Sequence, residues 1–354
     1  APGAELWFGH FGMGFDGTSL DFMAAVDCLA DNVDVVVDDI AFFNTGPYDG
    51  TSAISRNAAQ ELNDPTNRIR GYYNAVGNHA DAHYQEPYVD AAPADPGFNW
   101  HLFSGSATTT DALGLGPTVF DPVYLLAGQT LIVYLQWDDP FGASGNDYDL
   151  YLLRGSDGAD VASSFNEQSG TQDPVEVLVY TNPGPDDWFL ILINRFAGSP
   201  RTFDKFIRCN VCVPIAGADR NFNTPSSSEP NNSDAAGGVV SLGAINAADP
   251  GNDTIAFYSS RGPTNDGRLK PDAVAIDGVS VTGSGGFLTP FYGTSAAAPH
   301  AAGIAALLLD CAPALRHGEP GDDPSMDRNV LRDALLNSAV DLGPPGGDNV
   351  YGRG

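Results

Sequence analysis

The spacing of apolar positions changes twice along this chain, and each change marks a different kind of element. In the first 83 residues Leu20, Met23, Ala24, Val26 and Leu29 recur at helical intervals, predicting a helix over 20–30; residues 52–62 predict a second. Residues 33–43 form a near-continuous apolar run, as a strand buried on both faces requires, and 4–8 and 69–76 predict further strands. Strands alternating with helices predict a parallel sheet.

From about 84 to 225 the pattern becomes short runs of β-branched and aromatic residues, at 99–103, 118–125, 130–137, 148–154, 161–164, 175–181, 188–195 and 203–208. Turn clusters such as Ala127-Gly128 separate them, and strands at this spacing predict a β-sandwich of jelly-roll type. Residues 226–233 read as a return linker, after which a strand over 238–245 and a helix over 327–336 resume the α/β pattern. The expected organisation is therefore an α/β domain made of 1–83 and 226–354, with 84–225 inserted in it.

A small-residue stretch then brings in chemistry. Residues 296–310 are rich in Ala and Leu and predict a helix, with Gly293-Thr294-Ser295 at its entrance. A helix start carries free N–H groups and the positive end of the macrodipole, which favours an oxyanion beside a serine nucleophile. Read from this run alone, Ser295 is an ordinary N-cap.

The order of motifs goes further. Gly293-Thr294-Ser295-Ala296-Ala297-Ala298-Pro299-His300 resembles the serine segment of the subtilisin-like proteases, and Tyr258-Ser259-Ser260-Arg261-Gly262-Pro263 with Lys270-Pro271-Asp272 resembles the stretch that precedes it. Ala1-Pro2-Gly3-Ala4-Glu5-Leu6 is similar to the strand that follows the family's histidine helix. Val35-Val36-Val37-Asp38-Asp39-Ile40 is similar to its substrate-side strand, with Asp-Asp-Ile in place of Ser-Leu-Gly. Ala75-Val76-Gly77-Asn78 resembles the segment with the oxyanion-hole asparagine. By position the resemblance implies Ser295 as nucleophile and Asn78 as oxyanion donor. It implies Asp39, Ile40, Ala41, Ala75, Val76, Gly77, Gly293 and Thr294 as the residues along the substrate chain. By itself, Asn after Gly is a common turn residue.

The same resemblance exposes two departures. The family's aspartate and histidine precede the strand that resembles residues 1–6, so a segment upstream of Ala1 is expected to hold them; without the base, turnover falls roughly a million-fold, a figure measured on subtilisin itself. His10, His79, His83, His101, His300 and His317 all lie in the wrong sequence context to replace it. Ala275-Ile276-Asp277-Gly278 stands where relatives carry Ala-Pro-Gly or Ala-Pro-x-Gly, and the loss of that proline predicts an altered turn below the site. The fold class implied is an α/β subtilisin-like parallel-sheet domain lacking its N-terminal part. It carries an inserted all-β jelly-roll-like sandwich, which resembles the accessory pre-peptidase C-terminal-like domains.

Composition sets the partners. Of 354 residues 45 are acidic and 16 basic, a net charge of −29 that disfavours nucleic acid and anionic lipid and favours cations, calcium first. Asp138, Asp139, Asn146, Asp147 and Asp149 crowd five oxygen-bearing side chains into one Gly-rich loop, a candidate calcium site; a solvated acidic loop reads equally well. No organic cofactor is implied. Cys28, Cys209, Cys212 and Cys311 allow three disulfide pairings, with none selected, and Asn231 and Asn252 sit in glycosylation acceptor patterns. No run of roughly 18 apolar residues spans a membrane, and residues 1–6 do not read as a signal peptide, so an export signal is expected upstream.

The function expected is a secreted, extracellular or cell-surface serine endopeptidase acting on protein or peptide substrates. The alternative is a protease-derived structural protein that self-assembles into a filament or surface layer. A third reading makes 84–225 a carbohydrate- or protein-binding module.

Overall fold

The computed structural model describes residues 2–12, 17–95, 97–209, 222–226, 238–283 and 286–354. In chain order the elements are α1 (Ser19–Asn32), β1 (Val35–Asp38), α2 (Ala53–Asn63), β2 (Gly71–Ala75), β3 (His83–Pro87), β4 (Thr110–Asp111) and β5 (Asp121–Leu125). There follow β6 (Thr130–Trp137), β7 (Asp147–Arg154), β8 (Asp160–Ser164), β9 (Val175–Thr181), β10 (Asp187–Ala197), β11 (Thr202–Cys209) and β12 (Phe222–Asn223). The chain ends with β13 (Val239–Asn246), β14 (Ala273–Asp277), α3 (Thr294–Cys311) and α4 (Pro324–Asn337). Residue contacts divide it into two units, Ala1–Asn78 with Ser226–Gly354, and His79–Pro225.

In the α/β unit four parallel strands are ordered β1-β2-β13-β14. Alternation along the strands sends neighbouring side chains to opposite faces. Tyr72 and Val239 join Phe22, Val26, Ile54 and Leu62 of α1 and α2 on one face. Tyr73 and Val240 join Ala297, Ala301, Ala305 and Leu331 of α3 and α4 on the other. The alanines let α3 lie close to the sheet. Side-chain caps set the helix starts: Thr18 and Asp21 form a capping box on α1, and the side chains of Ser52 and Asp323 cap α2 and α4.

Two expected strands need correction. Residues 4–8 form no strand, and Leu6 and Phe8 are 93% and 88% exposed. The apolar run 33–43 yields only β1. That strand is at the sheet edge, and the Asp38 carboxylate takes the Ile40 N–H at 3.1 Å, turning the chain out of the ladder.

The β unit has two four-stranded sheets, ordered β5-β10-β7-β8 and β3-β11-β6-β9, with antiparallel pairing throughout. Both contribute to one core, with Val123, Leu150, Leu152, Phe189 and Ile191 from the first and Tyr84, Leu131, Val133, Leu178 and Phe203 from the second. The predicted runs at 130–137 and 175–181 coincide with β6 and β9. Residues 99–103 make only isolated bridges instead of a strand. In their place β3, which lacks the β-branched signature, pairs with β11 and carries residues 79–83 into this unit.

Candidate active site

Two segments leave the carboxyl ends of adjacent parallel strands, the usual position of a site in an open α/β sheet. β1 delivers Asp38 and then 39–41; β2, with Asn74 opposite Asp38, delivers Ala75, Val76, Gly77 and Asn78. Val76 N–H bonds the Leu242 carbonyl at 3.0 Å and Ser260 N–H bonds the Gly77 carbonyl at 2.9 Å, so this exit is fixed by the sheet on one side and by the Tyr258-Ser259-Ser260 segment on the other. Gly77 has φ of +111°, which no side chain tolerates well.

The start of α3 is tied to the same exit. Thr294, buried to 1% exposure, donates its N–H to Asn78 Oδ1 at 2.9 Å and its hydroxyl to the same oxygen at 3.0 Å. Thr294 Oγ1 in turn accepts the Gly77 N–H at 3.3 Å. Because a backbone N–H only donates, the Asn78 atom facing it is the carbonyl oxygen, and Nδ2 is left as a free donor. A Cβ on Gly293 would lie 3.1 Å from that nitrogen, and Gly293 has φ of +115°, so glycine is required twice over. Ser295 follows as the second residue of α3, half-buried, with no hydrogen bond to its hydroxyl or N–H among the described residues. Gly293 caps α3 without a side chain, so no capping side chain takes the Ser295 N–H. Pro299 has no N–H to bond the Ser295 carbonyl one turn back.

The sequence-derived residues therefore divide. Asn78, Gly77, Gly293, Thr294 and Ser295 are brought together by direct contacts. Ala75 and Val76 are buried in the sheet exit, Ile40 packs against the α1 and α2 core, and Asp39 and Ala41 lie beside them on the β1 exit.

No histidine bonds Ser295 among the described residues. His300 gives Nδ1–H to the Ala296 carbonyl at 2.7 Å; His317 is beside Asp322; His83 sits between Asp204 and the Thr224 carbonyl; His101 pairs with Tyr84. Burial, with repulsion from Lys205, pushes His101 down to about 3, so it is neutral.

Sequence reasoning missed Asp277 as a participant. It closes β14 fully buried and accepts the Gly293 N–H at 2.9 Å and the Tyr258 hydroxyl. Burial, reinforced by the Asp277 carboxylate, pushes the Tyr258 hydroxyl well above the usual phenol range, so Tyr258 remains the donor. The only sequence signal was the loss of proline at this turn.

The acidic loop of the β unit does not gather as one set. The Asp139 carboxylate is occupied by Ser144, by the Asn146 N–H and side chain, and by Arg201 at 2.7 Å; Asp138 accepts the Thr202 N–H. Asp147 and Asp149 are buried with no ion pair among the described residues, and burial pushes Asp149 up to about 6, helped by the charge of Asp147. Among the described residues no group of three or more His, Cys, Asp or Glu is placed to hold a metal ion. Cys209 is disulfide-bonded, while Cys28 and Cys311 are exposed free thiols. Asn252 is exposed; Asn231 and Cys212 lie outside the described residues. No helix of the described residues is long and apolar enough to cross a membrane.

Comparison with known proteins agrees with the geometry. Residues 192–354 match the model of the subtilase family, Peptidase_S8. Serine protease AprX of Bacillus subtilis is 30% identical over 134 residues, which cover 33% of this chain and 28% of that protein, so the match spans under a third of the relative. The CspB protease of Clostridium perfringens has a similar fold, with a TM-score of 0.55 at 15% identity over 96% of this chain and 69% of that one. The pre-peptidase C-terminal domain of a Bacillus anthracis collagenase reaches a TM-score of only 0.22 at 7% identity over 39% of this chain, too low to classify the β unit. With the motifs in family order and the serine and asparagine segments joined at the sheet exit, residues 192–354 of this chain are similar to the subtilase family of subtilisin-like serine proteases.

Proposed function

We propose that the chain is the serine-bearing part of a secreted subtilisin-like endopeptidase. The carrying observation is the junction of Asn78 with the start of α3, which leaves Asn78 Nδ2, the Ser295 N–H and the Ser295 hydroxyl unused. In this reading Ser295 Oγ attacks the peptide carbonyl. The carbonyl oxygen becomes the oxyanion, held by Asn78 Nδ2 and the Ser295 N–H, and the substrate chain lies between 39–41 and 75–77.

The proton leaving Ser295 goes to a histidine oriented by a carboxylate, both supplied by polypeptide outside these residues. Supporting this, the outer edge of β1 is unpaired among the described strands. A cleft of about 640 Å³ runs beside it, lined by Val35, Val37, Pro299, Ala302 and Leu307 and, on this chain's own side, by residues 2–7. The disulfide at Cys209 supports an extracellular location.

We also infer that the β unit is a jelly roll. Every connection between its eight long strands changes sheet except the β7–β8 hairpin, which is how a jelly roll is wound. Calcium is proposed only beside Asp147 and Asp149, since the carboxylates of Asp138 and Asp139 are taken by protein donors.

A fluorophosphonate probe tests the main reading. The full-length protein, folded, is expected to label at Ser295 and Ser295→Ala to escape. Folded full-length protein that stays unlabelled would favour the alternative, an inactive subtilase-derived protein that assembles outside the cell.

A further inference from the structure

The strand that ends deepest against the serine helix is β14, and it ends on a carboxylate. Asp277 is fully buried, and no ion pair reaches it among the described residues. Its Oδ2 accepts the Gly293 N–H at 2.9 Å and the Tyr258 hydroxyl; the same N–H lies 3.2 Å from the Tyr258 oxygen. Its Oδ1 has no hydrogen-bond partner among the described residues.

A buried carboxylate with two donors and no cation is costly unless fixed dipoles compensate it. The compensation on hand is the positive end of α3, an 18-residue helix that starts immediately after Gly293. Gly293 is also the residue whose positive φ turns the chain into that helix and whose missing Cβ makes room for Asn78 Nδ2. Asp277 thus grips the backbone at the hinge between the 279–292 segment and Ser295. Its own backbone is anchored by the β13–β14 ladder, where it pairs with Asn246.

We propose that Asp277 is a positioning residue for Ser295: by holding the Gly293 N–H, with Tyr258 aligning its carboxylate, it fixes the entry into α3 and so the setting of Ser295 relative to Asn78. This rests on the protease reading for its consequence in turnover, and on geometry alone for its consequence in backbone order. The role needs an acceptor side chain at this turn.

The test uses the full-length protein with a peptide substrate and with a fluorophosphonate. Asp277→Ala is expected to lower kcat by about 10- to 100-fold with KM changed less than about threefold. Asp277→Asn, which keeps an acceptor oxygen for both donors, is expected to restore most of the loss. Tyr258→Phe is expected to fall between the two, and it keeps the experiment decisive if Asp277→Ala does not fold.

Hydrogen exchange supplies a readout independent of turnover. The Gly293 and Thr294 amides are expected to exchange faster in Asp277→Ala than in the parent, and more slowly again in Asp277→Asn. Unchanged kcat in Asp277→Ala, a change confined to KM, or no rescue by Asn overturns the proposal. If the parent itself neither turns over nor labels, the protease reading fails, and unchanged exchange at Gly293 and Thr294 then overturns the positioning role separately.

Discussion

Asn78 Oδ1 accepts both the N–H and the hydroxyl of Thr294, at 2.9 and 3.0 Å, so the side-chain amide that ends the β2 segment is oriented by the first residue of the serine helix. The orientation is what makes Nδ2 available, and it separates a structural from a chemical role for Asn78.

Asn78→Asp keeps the acceptor for Thr294 and removes the donor, whereas Asn78→Ala removes both. Both variants are expected to lower the rate constant for Ser295 acylation by about 10²- to 10³-fold, the usual cost of one oxyanion donor. Thermal unfolding should distinguish them, with Asn78→Ala alone losing about 1 kcal/mol for the missing hydrogen bonds.

Thr294 is the buried side of the same junction. Thr294→Ala strips Asn78 Oδ1 of one donor and leaves the Gly77 N–H without its acceptor at a site that is 1% exposed. A loss of about 1–3 kcal/mol in denaturant unfolding is expected, and Thr294→Ser should recover most of it.

In the β unit Lys205 and Asp121 form a fully buried ion pair, with Lys205 over the rings of Tyr84 and Phe103. Lys205→Met leaves the carboxylate buried with, among the described residues, only the Phe222 N–H, at 3.0 Å, as donor. A destabilisation of about 3–5 kcal/mol is expected, and adding Asp121→Asn should return a large part of it. Equal destabilisation by the single and double variants would contradict this.

Acid stability should carry the mark of His101. Its folded pKa of about 3 lies below the ordinary 6.5, so between these values the unfolded chain binds more protons. The stability from burying neutral His101 is therefore present above pH 6.5 and is lost as the pH falls toward 3. The slope is about 1.4 kcal/mol per pH unit at most. Asp149 acts in the opposite sense: its folded value of about 6 is above the ordinary 3.8, so its contribution is present below pH 3.8 and lost as the pH rises through 6. Asp149→Asn is expected to raise stability at pH 7 by about 1 kcal/mol, solvent screening reducing the full shift, and to leave it unchanged near pH 3. Urea melts across pH 3–8 check both signs.

Calcium gives a further check on the acidic loop. If it binds beside Asp147 and Asp149, millimolar calcium raises the melting temperature of the parent and not of the Asp147→Asn/Asp149→Asn variant. Sodium at equal ionic strength controls for screening of the net charge.

Much of the architecture was legible because it depends on local pattern. Helices α1, α2 and α4 were readable from apolar spacing and β6 and β9 from β-branched runs, since periodicity acts within a few residues. Residues 4–8 and 33–43 were over-read, because an apolar run becomes a strand only where a neighbour offers its backbone, and β1 stands at an edge. The strand β3 was missed for the converse reason: it is made by the ladder that β11 provides.

At the site the sequence by itself determined which residue types meet and in what order, because the serine helix, the asparagine turn and the Ser-Ser-Arg-Gly-Pro segment each carry a local signature. Only the tertiary structure decided that the Asn78 amide is aimed by Thr294, and that Asp277, in a turn whose only sequence signal is a missing proline, is a buried acceptor at the mouth of α3. The physical reason is distance along the chain. Hydrogen bonds between residues on different strands and loops are set by the register of the parallel sheet, and no pattern within one segment encodes that register.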